Sequence, residues 1–415
     1  MSKTIKIGIL RESGRIPPDR RSPLTPQQCV EAMQKYKNLT IYVEKSNIRC
    51  FSDKEFECLG LAVVDDLSHC DILLGIKEVD ISKLIPEKTY LFFSHTLKKQ
   101  PHNQKLLASI LEKKIRLIDY ECITDENSNR LIAFGFFAGI VGAYNGVKTY
   151  LKKFYNLDFK PAYQLKDLKN LYEELEKNVK PCLPKLRIAI TGGGRVASGA
   201  MEVMNRLNIK QVTLNEFLNN EFDYPVYVQL HSRDYHRHKN NPELFDRDDF
   251  HHNPADYVSI FKLFTSKTDL LIAGAFWHSK APKLFELEDM LSDFFKIKVI
   301  ADITCDINGS IPCTIRSTTI ENPIYDYDPK TGEIYEPFTS LDFITVMAVD
   351  NLPCELPRDS SEYFGERLLK YVVPALVTND ENNLIERATI TKDGKLTKRF
   401  MYLYDYAYPH ENLKL

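Results

Sequence analysis

One short stretch constrains the fold more than any other. Leu186 to Thr191 is an apolar run that enters the turn Gly192-Gly193-Gly194, and an amphipathic helical pattern containing Met201, Met204 and Leu207 comes next. The spacing is G-x-G-x-x-A, with Ala197 in the last place. Gly192 permits a tight turn, Gly194 lets backbone amides approach a ligand, and Ala197 is small enough for the helix to pack near a sheet. Arg195 and Val196 open that helix, whose free amides and partial positive charge suit a pyrophosphate. Gln211 to Leu214 then reads as a second strand leading to Glu216. An acid about 20 residues past such a turn binds the adenosine ribose diol. Together these features predict a dinucleotide-binding α/β unit. Glu216 favours NAD, because an acid repels a 2′-phosphate, while Arg195 and Lys210 leave NADP open.

The residues before this unit alternate strand and helix in the manner of an open parallel sheet. Ile5 to Leu10, Leu39 to Val43, Ile72 to Ile76 and Tyr90 to Ser94 are short apolar runs of the kind buried on both faces. Thr25-Pro26-Gln27-Gln28 announces a helix, with Thr25 as N-cap, Pro26 at the first position and Gln28 reaching back. Leu131 to Tyr155 carries apolar residues at helical spacing and reads as a buried connector helix. Lys148, Lys152 and Lys153 near its end favour the helix dipole. The fold class expected is α/β, with two Rossmann-like doubly wound domains. One spans 1–135 with a returning segment 342–415, and the dinucleotide-binding one spans 136–341.

Lys77 and His95 each come directly after a buried strand. If those strands are parallel neighbours, both side chains leave the carboxyl edge, where open α/β sheets bind ligands. A lysine there can serve as a base, and histidine titrates near neutrality. Arg21 and Arg130 are candidate carboxylate clamps, since a guanidinium binds a carboxylate in two places. Glu121, after another strand, is a candidate partner for Lys77. His231, His236, His238, His251 and His252 crowd one polar stretch without metal-ligand spacing. It reads as a surface insertion with no metal.

Composition excludes several classes. Among 415 residues, 55 Lys+Arg against 57 Asp+Glu leave a net charge of −2, which argues against a nucleic-acid binder and a polybasic membrane anchor. No apolar run reaches the roughly 20 residues of a spanning helix, and the N-terminus lacks a signal-peptide pattern. The nine cysteines form no CxxC pair and suggest a reducing, cytoplasmic compartment.

Longer motifs carry a family resemblance. Phe92-Phe93-Ser94-His95 through Gln100 resembles the histidine motif of lysine-forming saccharopine dehydrogenases and of the lysine–ketoglutarate reductase domain of aminoadipic semialdehyde synthase. Leu117 to Glu121, Ala133 to Gly139, Ala301 to Asp306, Ser317 to Pro323, Asp350 to Pro357 and Glu362 to Gly365 extend it over nearly the whole chain. Arg20 to Pro26 is similar, at superfamily level, to alanine dehydrogenases and the transhydrogenase α-subunit. The resemblance implies two domains around a cleft, NAD or NADP as cofactor, and reversible interconversion of saccharopine with lysine plus 2-oxoglutarate. By that similarity Lys77 takes the amine proton, and His95 activates the water that attacks the imine. Arg21 and Arg130 match positions that hold substrate carboxylates, Glu121 an acid that tunes the lysine, and Asp306 an acid near the cofactor.

The glycine turn is one residue shorter than in the fungal enzymes. It is closer to the synthase domain, which uses the phosphorylated cofactor and also carries an acid near the position of Glu216. The histidine-rich stretch resembles an insertion of that same domain, and the resemblance implies the reductase half standing alone. Partners expected are these small molecules, with no nucleic acid or membrane, and with monomer and dimer both open. The rival readings are an alanine dehydrogenase-like enzyme and a non-catalytic, transhydrogenase-like nucleotide-binding subunit. The presence of both Lys77 and His95 argues against the second.

Overall fold

The computed structural model describes residues 4–13 and 19–408. They fall into two units, one made of the chain up to Phe134 with the segment from Pro357 onward, the other Gly135–Leu356. The strand Ile344–Met347 pairs with Val299–Asp302 in the second unit's sheet, so that unit continues beyond the expected boundary at 341.

The first unit is built on an eight-stranded sheet. From one edge, Ala62–Val64, Leu39–Glu44, Ile5–Ile9, Ile72–Leu74, Thr89–Phe92 and Arg116–Asp119 run parallel. The returning chain adds Thr389–Lys392 antiparallel to Arg116–Asp119, and Lys395–Leu396 beyond it. Ile7, Ile9, Leu73, Leu91, Phe92, Leu117 and Ile118 are all 0% exposed, which explains why these strands read as unbroken apolar runs. Each such side chain contributes roughly 1.5–3 kcal/mol on burial. The helix Pro26–Lys35 starts as its sequence requires: Gln28 N donates to Thr25 Oγ1 and Thr25 N to Gln28 Oε1, at 3.2 and 3.0 Å. Such a cap contributes about 1 kcal/mol.

The second unit holds another eight-stranded sheet. Ile344–Met347, Val299–Asp302, Leu270–Ala273, Arg187–Thr191 and Val226–Leu230 lie side by side and parallel. Ile324–Tyr327 and Ile334–Tyr335 add an antiparallel edge. At the other edge the expected strand from Gln211 to Leu214 is only Lys210–Gln211. Thr213 instead caps the short helix Leu214–Asn219, because Glu216 completes a capping box with it. The helix expected from Leu131 begins at Gly135 and runs to Tyr155. Lys153 is not a solvated partner of its dipole. Its side chain is wholly buried, and Nζ donates to Ser340 O, Phe343 O and Thr345 Oγ1 at 2.9 Å each, with Asp326 at 3.6 Å.

The histidine-rich stretch is more ordered than a polar surface insertion. His236–His238 pairs antiparallel with Tyr257–Ser259, and Phe245, Phe250 and Tyr257 pack with His236 and His238 into a small aromatic core. Among the described residues, no helix is long and apolar enough to cross a membrane.

Candidate functional site

In the first unit, Ile72–Leu74 and Thr89–Phe92 are parallel neighbours, so the segments carrying Lys77 and His95 leave the same edge of the sheet. Ile5–Ile9 pairs with Ile72–Leu74 on the other side, and the chain then departs in opposite directions across the sheet. This is a topological switch point, where open α/β sheets bind ligands.

Four carboxylates organise that edge. Glu12, beyond Ile5–Ile9, accepts from the amides of Ile76 and Lys77 at 2.7 and 2.9 Å. Burial, then the charge of Asp19, raises its pKa, while these amides and Arg21 oppose the rise. Glu78, beside Lys77 and itself buried, meets His95 Nδ1 at 2.6 Å and accepts from Asn103 Nδ2 at 3.3 Å. Asp119 accepts from Ser94 N and Oγ at 2.9 and 2.5 Å and from Glu121 N at 2.7 Å. Desolvation, joined by the charge of Glu121, raises its pKa too. Asp19, the fourth, holds Arg21. His95 itself has φ 49°, a left-handed conformation uncommon for a residue with a side chain. The bonds from Ser94 to Asp119 and from His95 to Glu78 fix the loop that imposes it.

The expected clamps differ in environment. Arg21 is 2% exposed, and its Nε and Nη2 already bind Asp19 at 3.0 and 2.5 Å. The guanidinium also lies 4.0 Å from the ring centroid of Phe134, which stacks on Phe364 at 4.4 Å. Arg130 is half exposed and pairs with Glu121 at 3.0 Å. The Tyr120 hydroxyl is buried with no hydrogen-bond partner among the described residues. Sequence reasoning missed Glu12, Asp19 and Glu78. Glu78 was readable as the neighbour of a strand-end lysine, and Glu12 as the residue leaving the first strand.

In the second unit, Gly192 has φ +108°, and a Cβ there would lie 3.1 Å from Gly274 O. A Cβ on Gly193 would meet the His231 ring at 2.6 Å, whereas one on Gly194 would meet nothing within 4 Å. The N-cap of the helix Arg195–Arg206 that starts there is Gly194, which has no side chain with which to cap it. Room before the amides of a helix N-terminus is what a pyrophosphate requires, so these residues fit a dinucleotide. Ala197 is buried, and Val196 packs against Gly274, where a Cβ would meet its Cγ1 at 2.8 Å. Glu216 does not end the strand beside the glycine turn. It accepts from Thr213 N and Oγ1 at 2.8 Å each, two strands away from Arg187–Thr191. Asp306 is half-buried beyond Val299–Asp302, where its carbonyl accepts from Gly309 N.

Comparison with known proteins agrees with this architecture. Residues 8–141 match the N-terminal domain of the alanine dehydrogenase/PNT family, and residues 179–399 match its C-terminal, NAD(P)-binding domain. The chain is 30% identical to an alpha-aminoadipic semialdehyde synthase of Arabidopsis thaliana over 93% of its own length and 40% of that protein. It is 26% identical to a saccharopine dehydrogenase [NAD(+), L-lysine-forming] of Emericella nidulans, covering 85% of this chain and 88% of that one. The chain thus spans about half the length, or less, of the synthases it matches. A solved L-alanine dehydrogenase shares the fold, with a TM-score of 0.66 and 16% identity, covering 97% of this chain and all of that one. With both of its units matched in order, the chain belongs to the alanine dehydrogenase/PNT family, a family of NAD(P)-linked oxidoreductases.

Proposed function

We propose that this chain is an NAD(P)-dependent oxidoreductase acting on the carbon–nitrogen bond of saccharopine, interconverting it with lysine plus 2-oxoglutarate. The observation that carries the reading is the pair Lys77 and His95 at the ends of neighbouring parallel strands, with Glu78 bound to His95 Nδ1. The names of the relatives in the synthase and saccharopine dehydrogenase groups support the substrate.

When bound, the nicotinamide supplies a hydride acceptor for the α-carbon of the secondary amine. Lys77 takes the amine proton, leaving an imine. With Glu78 accepting the Nδ1 proton, His95 Nε2 is the nitrogen that exchanges protons with the reactants. It passes a proton from the water that adds to the imine carbon to the nitrogen, then moves the remaining hydroxyl proton to the nitrogen as the carbon–nitrogen bond breaks and the carbonyl forms. Lysine and 2-oxoglutarate result. Arg130, half exposed, is placed to exchange Glu121 for a substrate carboxylate. Arg21 is held by Asp19 in a buried ion pair.

The test is oxidation of NADH and of NADPH with lysine plus 2-oxoglutarate, against pyruvate plus ammonia. Turnover only with lysine and 2-oxoglutarate supports the reading. Turnover only with pyruvate and ammonia replaces it with an alanine dehydrogenase. Dinucleotide binding without turnover in either mixture replaces it with a non-catalytic subunit. Lys77→Met lowers turnover by about a hundredfold or more and leaves dinucleotide affinity unchanged.

A further inference from the structure

The returning segment does more in the first unit than add two strands to the sheet. Its helix Pro357–Arg367 is seated on the loop that carries Arg21. Ser22 N donates to Ser361 Oγ at 2.9 Å, and Gln28 Nε2 donates to Glu362 O at 2.8 Å. Arg358 donates to Cys50 O at 2.8 Å and pairs with Glu55 at 2.7 Å. At Gly365 the approach is so close that a Cβ would strike the Gln28 side chain. These contacts fix the helix in rotation, and Phe364, 0% exposed, is the side chain they turn inward.

Phe364 meets three rings. It stacks on Phe134 at 4.4 Å and 4°, meets Tyr120 edge-on at 5.1 Å and 86°, and lies 6.1 Å from Phe93. These are geometries that aromatic rings prefer. Tyr120 contributes its ring alone, since its hydroxyl has no partner among the described residues. Two of the rings lead on to groups of the candidate site. Phe134 lies under the Arg21 guanidinium, 4.0 Å from its centroid. Phe93 lies nearly parallel to the His95 imidazole, at 6.4 Å and 18°. Glu78 binds His95 at one ring atom, Nδ1, and a single hydrogen bond leaves the ring plane free to turn. A second restraint comes from the parallel face of Phe93, and Phe93 in turn is packed by Phe364 and by Tyr120 at 5.2 Å. Rings packed at interior density do not shift independently of one another.

We propose that Phe364 is a positioning residue for the Lys77 and His95 site. Through Phe93 it sets the plane of the His95 imidazole, and through Phe134 it sets the place of Arg21. The edge that carries these groups is therefore complete only when the returning helix is docked. This deepens the function proposed above, and it rests on that reading for its kinetic readout alone.

The experiment uses the full chain labelled with carbon-13 at histidine Cε1. Phe364→Leu keeps apolar bulk and removes the flat ring. The His95 signal, identified by its loss in His95→Gln, should shift, while those of His231 and His236 in the second unit stay in place. Turnover measured well below the unfolding midpoint should fall roughly ten- to hundredfold, with dinucleotide affinity unchanged. Phe93→Leu should produce the same His95 shift, and adding Phe364→Leu to it should move that signal little further. Val377→Ala, a buried change thirteen positions along the same segment, should lower the midpoint and leave the His95 signal and turnover alone. A Phe364→Leu protein with a lower midpoint but the parent's His95 signal and turnover overturns the proposal, because Phe364 is then ordinary core. So do Phe93→Leu and Phe364→Leu shifts that simply add. If Phe364→Leu does not fold, Phe364→Met takes its place in the same measurements. If the parent shows no turnover with lysine plus 2-oxoglutarate, the function proposed above fails, and the His95 signal still decides the role of Phe364.

Discussion

Replacing Gly199 by alanine tests the packing that holds the glycine turn in place. Gly→Ala inside a helix ordinarily stabilises, by about 1 kcal/mol, because glycine costs more entropy to order. Here the sign should reverse. A Cβ on Gly199 would lie 2.0 Å from Phe136 O, and one on Gly139 2.0 Å from Val196 O. The helices Gly135–Tyr155 and Arg195–Arg206 thus touch backbone to backbone at two reciprocal points. The obstacle is a carbonyl oxygen within a helix, which cannot rotate aside. Reaching even the tightest contact seen for real Cβ atoms, 3.0 Å, needs the helices to part by 3.0 − 2.0, or about 1 Å. That movement would loosen Ala143, Ala197 and Ala200, each 0% exposed. Overpacking of this kind costs about 1–3 kcal/mol, and we expect the upper end because two rigid elements must move together. For a domain of this size that lowers the midpoint by roughly 6–12 °C. Urea unfolding and thermal melts, followed by dinucleotide titration, measure it. The same shift displaces the helix amides, so affinity should fall along with stability. A Gly199→Ala protein as stable as its parent, or more so, would refute the close-contact argument.

Two further outcomes rest on buried polar groups. Glu12→Gln offers one acceptor oxygen where two amides, Ile76 N and Lys77 N, now bind. It should cost about 1–3 kcal/mol in denaturant unfolding and reduce turnover through the displaced Lys77 segment; an unchanged midpoint would show that the segment holds its shape without Glu12. His236 is 5% exposed, and burial pushes its pKa down from 6.5 to about 4. Its Nδ1 lies 3.2 Å from Ser232 O. Because the folded value is the lower one, the unfolded chain binds the proton more readily between these limits. The stability is complete above about pH 6.5 and is lost as pH falls toward 4, by at most about 3 kcal/mol. His236→Asn, which keeps a donor for Ser232, should flatten that part of the curve relative to the parent. Identical slopes would mean that His236 titrates as if exposed.

Much of the fold was legible because its signals are local. Apolar runs marked the buried strands of the first sheet, and Thr25 with Gln28 marked a helix start that the structure reproduces bond for bond. The second sheet's edge was misread although a local signal was present. Thr213-x-x-Glu216 is itself a capping box, but Val212 and Leu214 beside it alternate as a strand does. Only two residues, both exposed, pair there. Val226–Leu230 then took the place beside the glycine turn, and no pattern within the chain announces which of two strands will be the neighbour. Lys153 was misplaced for a related reason. A lysine in a last helical turn looks solvated until the partners from residues 340–345 and Asp326 are folded around it.

The candidate site divides along the same line. Lys77 and His95 could be picked out because each comes directly after an apolar strand, and the parallel rule sends such residues to one edge. Their supports could not, since Glu12 reaches Ile76 and Lys77 from 64 and 65 positions away and Glu78 reaches His95 from 17. Those contacts exist only once Ile5–Ile9 pairs with Ile72–Leu74 and Thr89–Phe92 lies on the far side. The strand order therefore does more than bring the segments carrying Lys77 and His95 to one edge. It brings the acid leaving the first strand under the backbone of the lysine, and the acid beside the lysine onto the histidine ring. The proton exchange proposed for Lys77 and His95 needs that support, because a lysine or imidazole free to wander loses the alignment on which proton transfer depends. The same logic holds in the second unit, where strand order and not sequence distance sets Val226–Leu230 beside the glycine-turn strand.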